Sequence, residues 1–186
     1  GKSLIINAVC HQVLDLAEAQ GYEFGIIKIN CQTIKSHDRA VYRLAQSVAA
    51  EAGVEVGVPE SGVSTDQKLD RLYELISNQF DFVIVILDEI DLLIGRQRDL
   101  NAEPAYSKLL YQLSRAPKLG HTEGRISVAA LTNDPRFMDE LDGRTESSFN
   151  PQDIVFSDYN ADQLQAILSR RRDAYYEDVL EEGIIP

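Results

Sequence analysis

The sequence predicts an α/β layered fold in which helices cover a parallel sheet. Two observations carry that prediction: apolar residues alternate between helical spacing and short β-branched runs, and two of the runs are apolar at consecutive positions, as in strands buried on both faces. A third sets the scale. The 186 residues, 44% of them hydrophobic, are one domain's worth of chain with enough apolar surface for a sizeable core.

The elements follow in order. Ile6, Val9, Cys10, Val13 and Ala17 keep helical spacing, and Gly21 stands where that helix can end. Ile26 to Ile29 is a short β-rich run. Val41, Leu44, Ala45, Val48 and Ala52 mark a second helix, which the Gly- and Pro-containing stretch from Gly53 to Ser64 breaks into an irregular loop. Asp66 is a candidate cap for a third helix with Leu69, Leu72, Tyr73 and Ile76 on one face. That helix delivers the chain into the first fully apolar run, Phe82 to Leu87; Ile126 to Leu131 is the second. Between them Pro104 suits a helix's first turn, and Tyr106, Leu109, Leu110 and Leu113 stripe that helix. A last short strand is expected over Asp153 to Phe156. It precedes a helix opened by Asn160, with Gln163 three residues on as in a capping box. The one candidate boundary lies near Ser157 to Asn160, and no internal repeat or low-complexity segment is visible.

Charge and composition exclude several classes. Eighteen Lys and Arg against 30 Asp and Glu leave a formal net charge of −12, so the piece is a poor stand-alone nucleic-acid binder, although a local basic patch is still compatible with DNA contact. The acid excess and the predominance of Arg over Lys read as a halophilic signature. Cys10 and Cys31 are too few for a disulfide framework and read as reduced packing residues. The three scattered histidines form no metal-ligand cluster. No apolar run approaches the roughly 20 residues that span a bilayer, and no basic leader precedes one, which predicts a cytoplasmic protein with no membrane partner.

Four stretches carry chemistry. The chain opens Gly1-Lys2-Ser3 and enters a helix, the way a phosphate-binding loop ends: a Lys for the β- and γ-phosphates and a hydroxyl for Mg²⁺, at a helix N-terminus. The first apolar run ends in Asp88-Glu89-Ile90-Asp91, at the strand edge where α/β proteins bind ligands. There Asp88 would hold Mg²⁺ and Glu89 would polarise an attacking water. The second run ends in Leu131-Thr132-Asn133-Asp134-Pro135, whose Asn133 either starts a turn or reaches a γ-phosphate as a sensor. Finally, Arg144 lies in a polar loop, Leu141 to Phe149, where a solvated side chain or a finger aimed at a neighbouring subunit's nucleotide are the two readings.

In this order and spacing the four stretches resemble an AAA+ ATPase. More narrowly, Ile29-Asn30-Cys31-Gln32-Thr33, Pro59-Glu60-Ser61-Gly62, Leu109 to Arg115 and Phe156-Ser157-Asp158-Tyr159 resemble the archaeal replication initiators of the origin-recognition and cell-division-cycle family. The resemblance implies a three-layer αβα P-loop NTPase core over residues 1–158 and the beginning of a helical lid over 159–186. It also implies sheet order 5-1-4-3-2, with a first strand that would precede Gly1 and is missing from these residues. The chain is then expected to be a partial sequence, without ATPase activity by itself because the phosphate cradle is incomplete.

By position, Gly1, Lys2 and Ser3 would end Walker A, Asp88 and Glu89 would form Walker B, Asn133 would be the first sensor and Arg144 the trans-acting finger. ATP or ADP and Mg²⁺ are the implied cofactors. Origin DNA, other initiator subunits and the replicative helicase are the implied partners, with DNA bound mainly through a winged-helix domain beyond Pro186. The family's DNA-approaching insert corresponds to Gly53 to Ser64, where Glu51, Glu55 and Glu60 leave a solvated loop as an equal reading. Arg170-Arg171-Arg172 reads as a solvated helix face or as a lid surface near nucleotide or DNA. Two other functions stay open, a signalling or adaptor NTPase that binds protein and a non-hydrolysing ATP-binding scaffold. Retention of both Asp88 and Glu89 speaks against the scaffold.

Overall fold

The structure, a computed structural model, describes residues 2–94, 103–157 and 159–181, the stretch 173–181 as helix backbone. Gly1 lies outside the described residues. The chain divides into two compact units, Gly1–Gln152 and Asp153–Pro186.

The first unit is built on a parallel sheet of three strands, β1 (Phe24–Asn30), β2 (Phe82–Asp88) and β3 (Arg125–Leu131), in the order β1-β2-β3. The register is continuous across all three: Asn30 pairs with Asp88, and Asp88 with Leu131, so one line of residues forms the C-terminal edge of the sheet. In the family's expected order these are three neighbouring strands. Helices α1 (Lys2–Ala19), α2 (His37–Glu51), α3 (Thr65–Gln79), α4 (Ala105–Arg115) and α5 (Gly143–Phe149) flank them.

Burial follows the sequence pattern. Val83, Val85, Ile86 and Leu87 are all but inaccessible in β2, and Leu44, Leu72, Ile76, Leu109 and Leu110 close over the sheet from α2, α3 and α4. Each such aliphatic side chain contributes on the order of 1.5–3 kcal/mol of transfer free energy, enough to fix the central strand. Gly124 lets β3 begin beneath α3, because a Cβ there would lie 2.9 Å from Ile76 Cγ2 and 3.0 Å from the Phe80 carbonyl. Gly21, at φ +76°, follows the end of α1 as expected.

Several local expectations need correction. Ser64, not Asp66, caps α3: its hydroxyl accepts from Gln67 N–H while Gln67 returns a bond to the Ser64 backbone, a complete capping box. Pro104 stands just before α4 rather than inside its first turn. The polar stretch around Arg144 is not a loop but α5, capped by the Asp142 carboxylate. Its caps outweigh the low helix propensity of Gly143, Ser147 and Ser148.

In the second unit, Asp153–Phe156 forms no strand and is exposed. Among the described residues the sheet holds three strands, and Asp153–Phe156 pairs with none of them. Helix α6 (Ala161–Glu181) does open as expected, with Asn160 and Gln163 exchanging side-chain to backbone bonds of 2.9 and 3.0 Å. Among the described residues no helix is long and apolar enough to cross a membrane.

Candidate functional site

The C-terminal edge of the sheet gathers the chemistry. β2 delivers Asp88 there, and the chain then turns sharply, with Glu89 in the left-handed region at φ 54°, ψ 45°, into a short 3₁₀ turn over Ile90–Leu92. A non-glycine residue adopts that backbone only where its surroundings impose it. Here the fully buried Ile90 and Leu93 anchor the turn on both sides of its exposed part. The Glu89 carboxylate is thereby presented above the strand end.

Asn30, at the tip of β1, completes the arrangement. Its Oδ1 accepts from Gln32 N–H at 2.8 Å, capping a short turn over Cys31–Thr33, and that bond orients Nδ2 to donate to Glu89 Oε2 at 3.2 Å. Lys28, on the same face of β1 two residues earlier, brings its Nζ to 3.2 Å from Asp88 Oδ2. Beneath these groups Cys31 is fully buried. Burial first, then the charges of Asp88, Asp91 and Glu89, push its thiol up to about 12, so it remains a neutral packing group.

Helix α1 contributes from its first turn. Ser3 Oγ donates to Asp88 Oδ2 at 3.1 Å, and Lys2 Nζ donates to Asn133 Oδ1 at 2.5 Å. Asn133 follows β3 in a turn whose shape is set by Thr132 and Asp134. The Thr132 hydroxyl accepts from Asp134 N–H and the Asp134 carboxylate from Arg136 N–H, both at 2.9 Å. Helix N-terminus, central strand end and neighbouring strand end thus meet through hydrogen bonds between residues far apart in sequence.

Arg144 is not joined to this cluster among the described residues. Its Nε and Nη2 each lie 3.3 Å from the Asp142 carboxylate, and its side chain is exposed. Asp142 is held below the usual carboxylate range, chiefly by the hydrogen bonds from Arg144, and the Arg144 pKa is raised in return. The helix that carries Arg144 is itself firmly seated. Buried Thr145 donates to the Ser107 carbonyl at 3.2 Å, and the two hydroxyls lie 3.1 Å apart.

Residues 1–153 match the family described as AAA, ATPase family associated with various cellular activities. The chain belongs to the AAA family. Among its curated relatives, this AAA chain is 58% identical over its whole length to an ORC1-type DNA replication protein of Halobacterium salinarum and 55% identical to one of Haloarcula marismortui. It spans 43% of the length of each. Among solved structures it resembles that of the Aeropyrum pernix ORC1 protein in complex with DNA, with a TM-score of 0.72 and 29% identity. That match covers 94% of this chain and 41% of the other.

Within the AAA fold, then, Lys2, Ser3, Asp88, Glu89 and Asn133 fall at one sheet edge. Sequence reasoning gave no site role to Lys28 and met Asn30 only within the family-like stretch Ile29 to Thr33, although both stand near the end of a strand directly paired with β2. The available signal was a polar residue at each second position of an otherwise apolar run, Lys28 and Asn30 around Ile29.

Proposed function

We propose that this AAA chain is the nucleotide-handling part of an ATP-dependent DNA replication initiator. The observation that carries the reading is the pair of bonds Lys2–Asn133 and Ser3–Asp88, which tie the first turn of α1 to two adjacent strand ends. Each of those groups has a use in phosphoryl transfer, and no packing need brings them together.

In this reading Lys2 balances the charge of the β- and γ-phosphates at the N-terminus of α1, where backbone N–H groups favour anions. Asn133, in contact with Lys2, senses the γ-phosphate. Glu89 accepts the proton of the attacking water, and Asn30 holds its carboxylate in place. The hydroxyl of Ser3 and the carboxylate of Asp88 form a hard-oxygen pair of the kind Mg²⁺ prefers, and they would hold that ion. Bound there, Mg²⁺ would supply neutralisation of phosphate charge. Arg144 serves a neighbouring subunit's site, consistent with its exposure and its distance in the bonding network from the cluster.

The names of the relatives support the initiator role. Origin DNA would be bound mainly through a winged-helix domain C-terminal to these residues, and other initiator subunits and the replicative helicase would be the protein partners. ATP occupancy would switch DNA engagement and hydrolysis would reset it. Residues 159–186, opening on the capped helix α6, would begin the lid.

The test uses Glu89→Gln in the protein at its natural length. Nucleotide affinity should stay within about threefold while turnover falls at least about 100-fold, the usual contribution of a general base. Unchanged ATPase activity would remove Glu89 from the mechanism.

A further inference from the structure

Strand β1 holds both carboxylates of the site. Asn30 holds Glu89, and Lys28 holds Asp88 through the diagonal contact that parallel register allows, since Lys28 pairs with Ile86 and Asp88 lies two residues on. The Asp88 oxygen that Lys28 approaches, Oδ2, is the one that accepts from Ser3. We propose that Lys28 is a resident cation competing with the divalent ion for Asp88, and that it thereby sets the Mg²⁺ concentration at which the site loads. This rests on the nucleotide-site reading of Ser3 and Asp88.

The electrostatics carry the inference. Asp88 is mostly covered, with a side chain 16% exposed, and Glu89 and Asp91 follow it within one turn. Such a concentration of negative charge is costly without a counter-charge, and Lys28 supplies one from the neighbouring strand. A divalent ion held by Asp88 would meet that ammonium as a like charge. The Lys28 side chain is 35% exposed, and a four-carbon stem can withdraw into solvent, so the competition is one of charge rather than a permanent block. Nucleotide loaded at low Mg²⁺ would find Asp88 already paired, and at high Mg²⁺ the ion would take the place of the lysine.

The experiment titrates Mg²⁺ into the protein, at its natural length, bound to a fluorescent ADP analogue, and reads the Mg²⁺ midpoint of the change in nucleotide affinity. Lys28→Met should lower that midpoint about tenfold at low salt, the order expected for removing a unit charge beside a divalent ion in a water-like dielectric. Lys28→Gln should do the same, which separates the charge from any packing effect of one substitution. Lys28→Arg, keeping the charge, should stay within about threefold of the unsubstituted protein, and the Met effect should shrink as KCl is raised and screens the pair. An unchanged or higher midpoint in both neutral variants, beside an Asp88→Asn protein that has lost its Mg²⁺ dependence, overturns the role of Lys28 and leaves the site standing. Mg²⁺ dependence that survives in Asp88→Asn overturns both.

Discussion

Asn30 donates its side-chain amide to Glu89 at 3.2 Å, across the junction of two strands whose paired residues, Asn30 and Asp88, end in register. The bond secures a carboxylate whose own backbone sits in the left-handed region. Position and strain therefore act together at Glu89: the turn aims the side chain, and the amide stops it from swinging.

The strain is measurable. A Cβ in the left-handed region costs roughly 1–2 kcal/mol relative to glycine. Glu89→Gly should thus be more stable than Glu89→Ala by about 1 kcal/mol, the reverse of the order found inside helices. Denaturant unfolding of the two variants at fixed KCl checks it, and equal midpoints would show that the turn relaxes without its side chain. Both variants should lack turnover.

Lys2 and Asn133 should separate binding from chemistry. In the proposed site Lys2→Ala removes a charge that would meet phosphate in the ground state, so nucleotide affinity should drop at least about tenfold. Asn133→Ala should leave affinity within about threefold and reduce kcat by about 100-fold, as losing one donor to developing charge does. Fluorescent-nucleotide titration and steady-state hydrolysis together distinguish the two. A larger affinity loss in Asn133→Ala than in Lys2→Ala would reverse the assignment.

The parts legible in the sequence are those fixed by local pattern. The run Val83 to Leu87 announces a buried strand because a solvent-facing residue would interrupt it, and the carboxylates that end it follow directly. Asn160 with Gln163 announces a cap because both partners lie within four residues. Long-range geometry was not legible in the same way. Asn30 and Lys28 acquire their contacts with Glu89 and Asp88 from parallel register with a strand more than fifty residues away, which no short window contains. The stretch around Arg144 is polar and glycine-led, so it reads as a loop; its helix depends on the Asp142 cap and on Thr145 buried against Ser107. Conversely, Asp153–Phe156 has the apolar spacing of a strand but joins no sheet among the described residues, and periodicity alone cannot supply a partner.

Arg144 offers a test of subunit communication. Its guanidinium rests on Asp142 in an exposed pair that is easily exchanged for a better acceptor. Arg144→Ala should therefore leave hydrolysis by dilute monomer unchanged within about twofold and reduce it by about 100-fold or more in the assembled complex, as removal of an arginine finger does. The readout is ATPase rate against concentration of the protein at its natural length, with and without the DNA proposed as its partner. A loss of equal size at every concentration would place Arg144 in its own subunit's site.

The buried ammonium of Lys68 predicts an asymmetry in stability. Its side chain is 1% exposed, and Nζ donates to both Asp38 oxygens at 2.9 and 2.7 Å and to the Glu60 carbonyl at 2.7 Å. It thereby pins the 53–64 segment to α2 and α3, helped by Arg71, which donates to the Val56 carbonyl at 2.8 Å. Removing Asp38 strands a buried charge, whereas Lys68→Met removes the charge and nearly conserves volume. Asp38→Ala should cost about 2 kcal/mol, less than a fully buried pair because Asp38 is half exposed, and Lys68→Met only about 1 kcal/mol. The pH dependence has a definite sign. Burial works to raise the Asp38 pKa, but the hydrogen bonds from Lys68 and Thr65 and the Lys68 charge outweigh it, so the folded value lies below the ordinary one. A depressed carboxylate contributes stability that is fully present above its unfolded pKa of about 3.9 and is lost as pH falls through the folded value. The stability gap between the unsubstituted protein and Asp38→Ala should accordingly narrow below about pH 4. Equilibrium unfolding at constant salt from neutral to acid pH measures it, and a gap that stays constant through the acid range would mean that the Lys68–Asp38 pair does not hold this segment.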